Sequence, residues 1–564
     1  MQPPPFSFVL AACSCVIPAL AGQVQLSNLQ LPPTAAGLQS TVKQMFVDSY
    51  NAYKTYAWGH DDLLPVSASF TDGRNGWGAS IVDGMATMAC PLYIMGLDDF
   101  FEEAVNFTQF INFNESQVIE TVSIFETSIR YVGGLLSAYE LSGKQHQILV
   151  DKAKEVADKM AYAWQTYPGQ TIPYGEIWFS DNQAVVDTSN IAEAGTLDIE
   201  WSRLSLYTGN ETYTELTEGS VRTIANLVTP LPGLAPQGID PSSNTFVGDY
   251  LTWGGGSDSY FEYLIKYPRV TNIDDNLFAD TWHAAVDSSI ANMARKSTVG
   301  NYTYIADWDE GELIHVASHL ECFHGGNWIF GGHLLNNQTI IDYGLELVDA
   351  CWNTYASTTT GIGPEVFYFL ADDQWNGNGV PSQSELAFYN EHGFWVTSSD
   401  YILRPEVLES NFYAWRSTGD TKYIGRAASA VDSLMKYLPQ PSGGYAGLND
   451  VDDPSAGFID DQESFWFAEV LKYLSVTRLV LNECYVLLFS SRYLTFDDPE
   501  HISLNDYVLN TEGQPFEAPA AKDVYGSGQP AVVPGKFVSK TGLPLPAISP
   551  NKFLPSPLPT PTAS

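Results

Sequence analysis

Two carboxylates and an arginine stand close together in the segment YILRPEVLES, residues 401–410. Pro405 suits the first turn of a helix, where its missing N–H costs nothing. In that helix Glu406 and Glu409 fall on one side, and Arg404 lies just before it. Standing alone, such a pair is ordinarily interpreted as a solvated helix face. Paired carboxylates also suit acid–base chemistry at a glycosidic bond, because one protonates the departing oxygen and the other activates water or attacks the sugar.

Further acidic residues occur among aromatic residues on predicted helices. Burying carboxylates without partners is costly, so their recurrence predicts one shared polar site. The interleaved aromatic rings are suited to stacking on sugar rings. The residues are Glu126 with Arg130 one turn later in VSIFETSIRYVGGL, Glu200 in GTLDIEWSRL, Asp258 in WGGGSDSYFEYLIK, and Phe465 with Glu469 in DDQESFWFAEVLKY.

The elements that must position these residues are predicted to be helical hairpins. A Ser-Gly or Thr-Gly turn recurs between amphipathic runs at Gly143, Gly209 and Gly419. Glycine commonly ends a helix in the left-handed conformation, and Asn210 or Asp420, directly after it, is suited to cap the next helix. Repeated hairpins either stack into an open solenoid or close into a toroid. In a toroid the polar residues of the inner helices converge on one central cavity.

The charge balance restricts the partners of this chain. Its 564 residues include 66 acidic and 26 basic side chains, giving a net charge of −40. Nucleic acids and anionic membranes require a basic footprint, so neither is an expected partner. A neutral, hydroxyl-rich ligand such as a carbohydrate meets no such repulsion. The hydrophobic content of 45% is sufficient for a sizeable core.

The N-terminus predicts entry into the secretory pathway. Residues 7–22, SFVLAACSCVIPALAG, form an apolar run with a small-residue end, so residues 1–22 are assigned as a signal peptide. The run is short for a membrane span, and a membrane association is expected only if it stays uncleaved. Five sequons agree with a secreted protein or one in the Golgi or vacuolar lumen. Their acceptors are Asn106, Asn114, Asn210, Asn301 and Asn337.

Six cysteines occur in the chain, two of them inside the predicted signal peptide. The remaining four allow three complete pairings, and the residues alone do not choose among them. They are Cys90, Cys322, Cys351 and Cys484.

Long ungapped blocks between about residues 42 and 516 resemble the class I α-mannosidases of glycoside hydrolase family 47. The blocks are DGRNGWGASIVDGM, VSIFETSIRYVGGLLSAYEL, WGGGSDSYFEYLIK, HLECFHGGNWIFGG, YILRPEVLES, QESFWFAEVLKYL and NTEGQP. Their number and order make the resemblance specific. It implies an all-α (α/α)7 barrel with minor β-hairpins, in agreement with the repeated helical hairpins. It also implies calcium-dependent, inverting removal of terminal α-1,2-linked mannose from high-mannose N-glycans.

The resemblance assigns roles to individual residues. Glu126 is similar to the general acid, Glu406 matches the general base that activates water, and Asp258 matches the third acidic residue, which assists. Which carboxylate passes the proton, directly or through water, stays open. Seven further residues match positions that line the sugar site: Arg130, Glu200, His319, Arg404, Glu409, Phe465 and Glu469.

The resemblance also implies a calcium site, a disulfide and a specificity. Thr511 of NTEGQP matches the family's calcium ligand through its hydroxyl and carbonyl oxygens. Calcium takes six to eight oxygens, so Glu469 and Glu512 are expected to hold waters of its shell. ECFHGG and VDACWNTY match the segments that carry the family's disulfide, which pairs Cys322 with Cys351. Gly256 stands where the narrow-specificity members have arginine, which implies broader trimming towards five mannoses.

Two features depart from the family pattern. NTEGQP has Gln514 where the family usually has histidine. Residues 475–492, SVTRLVLNECYVLLFSSR, form an insertion, since removing them would join Leu474 to Tyr493 in a family-like sequence. A retained intron or gene-model error is the hypothesis for it. The catalytic domain is then expected over residues 23–516. The remaining 517–564 hold 10 prolines in 48 residues and are expected to be disordered.

Two other classes of protein compete with an enzyme. A non-catalytic mannose-binding relative, acting in glycoprotein quality control, would keep the same fold. A purely structural helical toroid leaves the acidic residues unexplained. The default expectation for the oligomeric state is a monomer.

Overall fold

The computed structural model describes residues 22–27, 29–32, 35–88, 94–371, 381–475 and 502–528. Helices dominate these residues. In chain order they are α1 Ala35–Tyr56, α2 Ala79–Met88, α3 Asp98–Thr108, α4 Ile124–Glu126, α5 Gly133–Leu141, α6 Gln147–Met160, α7 Ile191–Gly195, α8 Asp198–Thr208, α9 Thr212–Ala225, α10 Asp258–Thr271, α11 Leu277–Asn292, α12 His324–Leu334, α13 Gln338–Ser357, α14 Gln383–His392, α15 Glu406–Thr418, α16 Lys422–Tyr437 and α17 Leu471–Ser475.

The strands are short and antiparallel. Among the described residues they are β1 Asp62–Leu64, β2 Ser69–Thr71, β3 Val122–Ser123, β4 Glu176–Trp178, β5 Gln183–Ala184, β6 Ser189–Asn190, β7 Gly238–Asp240, β8 Thr245–Val247, β9 Ala294–Lys296, β10 Thr303–Ile305, β11 Asp307–Asp309, β12 Glu312–Ile314, β13 Val316–Ser318, β14 Val366–Tyr368, β15 Trp395–Ser398, β16 Gly447–Leu448, β17 Phe458–Ile459, β18 Tyr507–Leu509 and β19 Pro515–Glu517. They form two- and three-stranded sheets, of which β3–β4–β5, β6–β7–β8 and β13–β14–β15 have three strands.

Helices alternate along the chain between an inner and an outer ring. The inner ring runs through α2, α5, α8, α10, α12, α15 and α17, and each of these contacts the next. It closes where the π-helix before α17, Trp466–Val470, packs on α2. Outer helices α1, α3, α6, α9, α11, α13 and α16 pack around it. The fold is therefore an (α/α)7 barrel, as the sequence predicts.

The glycine turns have the predicted geometry. Gly209 ends α8 with φ 70°, and Gly419 ends α15 with φ 69°. These positive φ values favour glycine because it has no Cβ. Asn210 Oδ1 then accepts from the N–H of Thr212, and Asp420 Oδ1 accepts from Lys422, at the starts of the following helices. The hairpin turns thus fix the antiparallel pairing of outer and inner helices.

A β-hairpin made of β18 and β19 fills the end of the barrel at which the inner helices finish. Its backbone is tied to the second half of α5, where Ser137 donates to the Pro515 carbonyl at 2.7 Å and Glu140 accepts from the N–H of Glu517 at 2.6 Å. Its tip, residues 510–513, reaches up towards the starts of the inner helices. The hairpin therefore works as a plug that delivers Thr511 to the barrel interior.

The folded chain continues past the boundary predicted at residue 516. Residues 517–528 run along α10 and α11, where Arg269 donates to the Pro519 carbonyl at 2.8 Å and Asn272 accepts from the Tyr525 hydroxyl at 2.7 Å. Burial of Tyr525 and these bonds offset the low hydrophobicity of the segment. The prediction that disorder begins at Glu517 is wrong for these residues, and 529–564 lie outside the described chain.

Several predicted features also fall outside the described residues, among them the signal peptide through residue 21, Cys90, Cys484 and residues 476–492 of the insertion. The predicted pairing of Cys322 with Cys351 is present as a disulfide. Asn106 and Asn301 are exposed, whereas Asn337 caps α13 through its side-chain oxygen. The side-chain amide of Asn114 donates to Glu155.

Within the described ranges, no helix has the length and apolar character that crossing a bilayer requires.

Candidate active site

A cavity of about 590 Å³ lies in the barrel, at the end where the inner helices begin. All site residues predicted from the sequence line it except Glu200 and His319, which are buried directly behind its wall. Asp258 and Glu406 are the first residues of α10 and α15. The free N–H groups and the dipole at a helix N-terminus favour negative charge, so the helix starts support carboxylates here. The lining residues include Glu126, Arg130, Asp258, Arg404, Glu406, Glu409, Phe465, Glu469, Thr511 and Glu512.

Glu406 is held from two sides. His319 Nδ1 lies 2.7 Å from Glu406 Oε2, and the other imidazole nitrogen lies 2.8 Å from the hydroxyl of Tyr355. Arg404 Nη1 lies 3.7 Å from Glu406 Oε1. Burial raises the pKa of Glu406, but the hydrogen bond from His319 and the charge of Arg404 outweigh it, so the pKa lies below its ordinary value. Glu406 is therefore an ionised carboxylate, the form that a general base requires.

Arg404 is itself oriented by Glu365, which sequence analysis missed. Its Nε lies 2.8 and 2.6 Å from the two oxygens of the Glu365 carboxylate, a two-oxygen arrangement that fixes the guanidinium plane. Leu403, directly before it, is buried with φ 68°, a conformation that is uncommon for a bulky side chain. Glu365 belongs to the loop before β14, where no helical periodicity marks it. The sequence feature that could have drawn attention to Glu365 is Gly-Pro-Glu, residues 363–365.

Glu126 lies against two arginines. Ser123 caps the short helix α4 by accepting from the Glu126 N–H, and Arg130 Nε donates to Glu126 Oε2 at 2.6 Å. Arg74 Nε lies 3.6 Å from the same oxygen. Burial raises the pKa of Glu126, but the charges of Arg130 and Arg74 dominate and place it below the ordinary value. Glu126 is therefore ionised in the free site.

Asp258 has the opposite character. Burial raises its pKa most, and the N–H of Ser259 counteracts this in part by donating to its Oδ1 at 2.8 Å. The charges of Glu262 and Glu406 raise the pKa further, to about 7, although Arg404 opposes them. Asp258 thus holds a proton below about pH 7, while Glu406 has already lost its own. Environments that separate two carboxyl pKa values in this way suit an acid and a base.

Arg130 connects the acidic residues on one side of the cavity. It belongs to a π-helix, Thr127–Val132, and its Nη1 donates to Ser464 Oγ at 2.9 Å and lies 3.3 Å from Glu512 Oε1. The guanidinium lies 5.5 Å from the ring centre of Phe465. Glu469 lies on the second π-helix, Trp466–Val470. Such π-helical turns re-aim side chains and are frequent at functional sites.

Three buried glutamates, Glu409, Glu469 and Glu512, form the floor of the cavity, and Glu200 lies directly behind it. Burial raises the pKa of each: to about 7 for Glu200, about 8 for Glu409, and well above the usual range for Glu469 and Glu512. Glu512 and Glu409 repel Glu469, which raises its pKa further. The repulsion among these carboxylates would be relieved by a cation bound between them.

The plug hairpin holds Thr511 over this floor. Asn510 donates to Glu200 Oε1 at 2.7 Å, and its own side-chain oxygen accepts from the N–H groups of Glu512 and Gln514. Tyr263 also donates to Glu200, and its hydroxyl accepts from the Thr511 N–H at 3.2 Å. Glu200 therefore supports the hairpin tip from behind the cavity wall.

The residues present fit a calcium ion, which Thr511 would bind directly. In the described chain no three His, Cys, Asp or Glu side chains lie close enough together to hold a metal by themselves. Thr511 offers its hydroxyl and carbonyl oxygens, nearby carboxylates would hold waters, and calcium accepts such an all-oxygen shell. Glu200 Oε2 is buried and has no hydrogen-bond partner in the described residues, which leaves an acceptor for a bound water.

Asp83 and Arg74 are further site residues that the sequence analysis did not assign. Ser464 Oγ donates to Asp83 Oδ2 at 2.6 Å, and Gln514 donates to Asp83 Oδ1 at 2.7 Å and to its main-chain oxygen at 3.0 Å. Arg74 Nη2 pairs with Glu463. Both belong to the block DGRNGWGASIVDGM, whose resemblance to the family was the available signal.

Comparisons with known proteins agree with this geometry. The family described as glycosyl hydrolase family 47 matches residues 45–518. The probable mannosyl-oligosaccharide alpha-1,2-mannosidase 1B of Aspergillus clavatus is 36% identical, covering 88% of this chain and 97% of that protein. The mannosyl-oligosaccharide alpha-1,2-mannosidase 1B of Aspergillus phoenicis is 36% identical, covering 91% and 99%. The chain belongs to glycosyl hydrolase family 47.

A solved family 47 structure supports the assignment. The alpha-1,2-mannosidase from Trichoderma reesei superposes with a TM-score of 0.77 at 35% sequence identity, covering 86% of this chain and 99% of that one. The predicted recognition, fold class and glycoside hydrolase class are confirmed. This family 47 barrel therefore places an ionised Glu406 and a proton-bearing Asp258 in one cavity.

Proposed function

We propose that the chain removes terminal α-1,2-linked mannose from high-mannose N-glycans, with inversion at the anomeric carbon. The activity for which the family 47 relatives are named supports the linkage and the sugar. The observation that carries the proposal is that the pKa of Glu406 is lowered and that of Asp258 is raised. Hydrolysis needs one carboxylate to activate water and one carboxyl group to protonate the leaving oxygen. An ionised Glu406, held by His319 and Arg404, suits the first role.

The proton donor has two candidates. The family resemblance gives this role to Glu126, whereas the pKa of about 7 favours Asp258 as the residue that holds the proton in the free site. Glu126 is charged there and pairs with Arg130. We assign to Asp258 the proton that is held in the free site. We assign to Glu126, together with Arg130, the orientation of the glycosidic bond that is cleaved.

Calcium is part of the proposal. Thr511 would hold it, and carboxylates of the cavity floor such as Glu469 and Glu512 would hold its waters. Bound there, calcium would supply an anchor for the hydroxyl groups of the terminal mannose. Gln514 keeps the hairpin tip in place by its bonds to Asp83, so the replacement of the family's histidine is compatible with the site.

Trimming towards five mannoses is also proposed. Gly256 lines the cavity with φ 80°, and a Cβ there would lie about 3 Å from the Gln237 side chain. An arginine at this position would both strain the backbone and occupy the space above α10. Without a side chain, the wall leaves room for different glycan branches. The predicted signal peptide and sequons support an action in the secretory pathway, on glycoproteins. A monomer remains the default expectation for the oligomeric state.

The test measures free mannose from a nine-mannose N-glycan with calcium, with a chelator, and after calcium is restored. We expect release with calcium that stops near five mannoses, loss with the chelator, and recovery. Glu406→Gln, which keeps the size of the side chain, should abolish release. Absence of release from folded protein that still binds the glycan would overturn the proposal in favour of the mannose-binding alternative.

A further inference from the structure

The sheet β3–β4–β5 continues the cavity wall outwards. Ser123 of β3 lies opposite Glu176 of β4, and both line the cavity. Residues directly opposite in an antiparallel pair point to the same face. Along β4, residues two apart share a face, so Trp178 faces the same way as Glu176 and lies about 7 Å farther out. Ile177, between them, points the other way and is buried.

Trp178 is accessible at this position. It is 39% exposed, and in the described chain its indole makes no hydrogen bond, ring contact or cation contact. Trp164, Trp201 and Trp253, by contrast, pack against other aromatic rings in the core. More than a third of this large ring faces solvent at the mouth of the cavity, so packing alone does not account for its whole apolar surface.

Polar groups accompany the ring. Gln183 of β5 is opposite Trp178 and therefore on the same face, and it is exposed. Farther in, the cavity is lined by Glu120, Glu176 and Glu193. An aromatic face flanked by an amide and carboxylates offers stacking for the apolar side of a sugar ring and hydrogen bonds for its hydroxyls. The same carboxylates disfavour an anionic occupant.

We propose that Trp178 and Gln183 form an outer carbohydrate subsite, which binds a sugar of the glycan while its terminal residue lies in the cavity. This inference rests on the proposed function, because the occupant is a part of the same substrate. The continuity of the face through Ser123 and Glu176 into the cavity identifies the occupant as that glycan. A disaccharide that fits within the cavity would not reach the subsite.

The experiment compares a mannosyl-α-1,2-mannose disaccharide with a nine-mannose N-glycan. For Trp178→Ala we expect KM for the glycan to rise about three- to tenfold with unchanged kcat, as expected for a lost aromatic contact. The kcat/KM for the disaccharide should not change. Trp178→Phe, which keeps a ring, should show a smaller rise. Leu206→Ala is the control, since Leu206 is exposed at the far end of α8.

Two outcomes would overturn the subsite: an unchanged KM for the glycan, or an equal rise in KM for both substrates. Failure of the proposed function gives a different result, namely no hydrolysis of either substrate by the unaltered protein. In that case calorimetric titration of the nine-mannose glycan into the unaltered protein and Trp178→Ala decides the inference. Weaker binding by the variant supports it, and equal binding overturns it.

Discussion

The imidazole of His319 bridges Glu406 and Tyr355, with 2.7 Å on the carboxylate side and 2.8 Å on the hydroxyl side. His319 precedes a 3-10 turn, Leu320–Phe323, whose Cys322 is fixed by the disulfide to α13. The orientation of the carboxylate is therefore set by a chain of contacts that begins on the outer ring.

His319→Ala tests this bridge. We expect kcat to fall about ten- to a hundredfold, because a carboxylate that moves by about 1 Å no longer aligns the attacking water. KM for the disaccharide should change little, since His319 does not line the cavity. Tyr355→Phe removes only the outer hydrogen bond and should cost less. Steady-state kinetics on folded variants checks both, and a loss confined to KM would contradict the positioning role.

The pH profile tests where the proton resides. Asp258 has a raised pKa of about 7, so its protonated form is complete well below pH 7 and is lost as pH rises through that value. If this form is required, kcat/KM falls about tenfold per pH unit above pH 7. The residual kcat/KM of Asp258→Asn should no longer fall above pH 7, whereas that of Glu126→Gln should still fall there. The reverse pattern would assign the proton to Glu126.

Calcium binding is testable without activity. A ligand that binds only the folded state stabilises it, by about 2.7 kcal/mol at a hundredfold excess over Kd. We expect calcium to raise the melting temperature of the unaltered protein and a chelator to reverse the rise. Thr511→Ala should show a smaller rise, and Thr511→Ser, which keeps the hydroxyl, should match the unaltered protein. An equal rise in Thr511→Ala would remove Thr511 from the site.

The disulfide should contribute to stability and to the site together. It joins residues 29 apart in sequence, and closing a loop of this length stabilises the folded state by about 3–4 kcal/mol in the chain-entropy description. The double variant Cys322→Ser, Cys351→Ser should therefore unfold at lower denaturant concentration. It should also lower kcat, through His319. Unchanged kcat in a destabilised double variant would show that the turn keeps its geometry without the bridge.

Sequence motifs located the carboxylates of the site because all of them except Glu200 lie in the quoted blocks that resemble the family. They did not reveal the contacts among them. Glu365 was missed because a loop residue before a strand has no periodic pattern, although it orients Arg404. The depth of Glu200 and His319 behind the wall depends on how seven hairpins close, which no local pattern encodes. The tail boundary was misplaced because composition does not register a few specific bonds to Arg269 and Asn272.

The plug hairpin has a consequence for biosynthesis. Of the elements described, β18 and β19 leave the ribosome last, yet they supply Thr511 and the Asn510 contact to Glu200 at the centre of the ring. A nascent chain that has made every helix still lacks this centre, and its buried glutamates face one another without the hairpin. Completion of the site is thus a late step in folding, and a premature stop before Tyr507 removes Thr511 while leaving all described inner helices encoded.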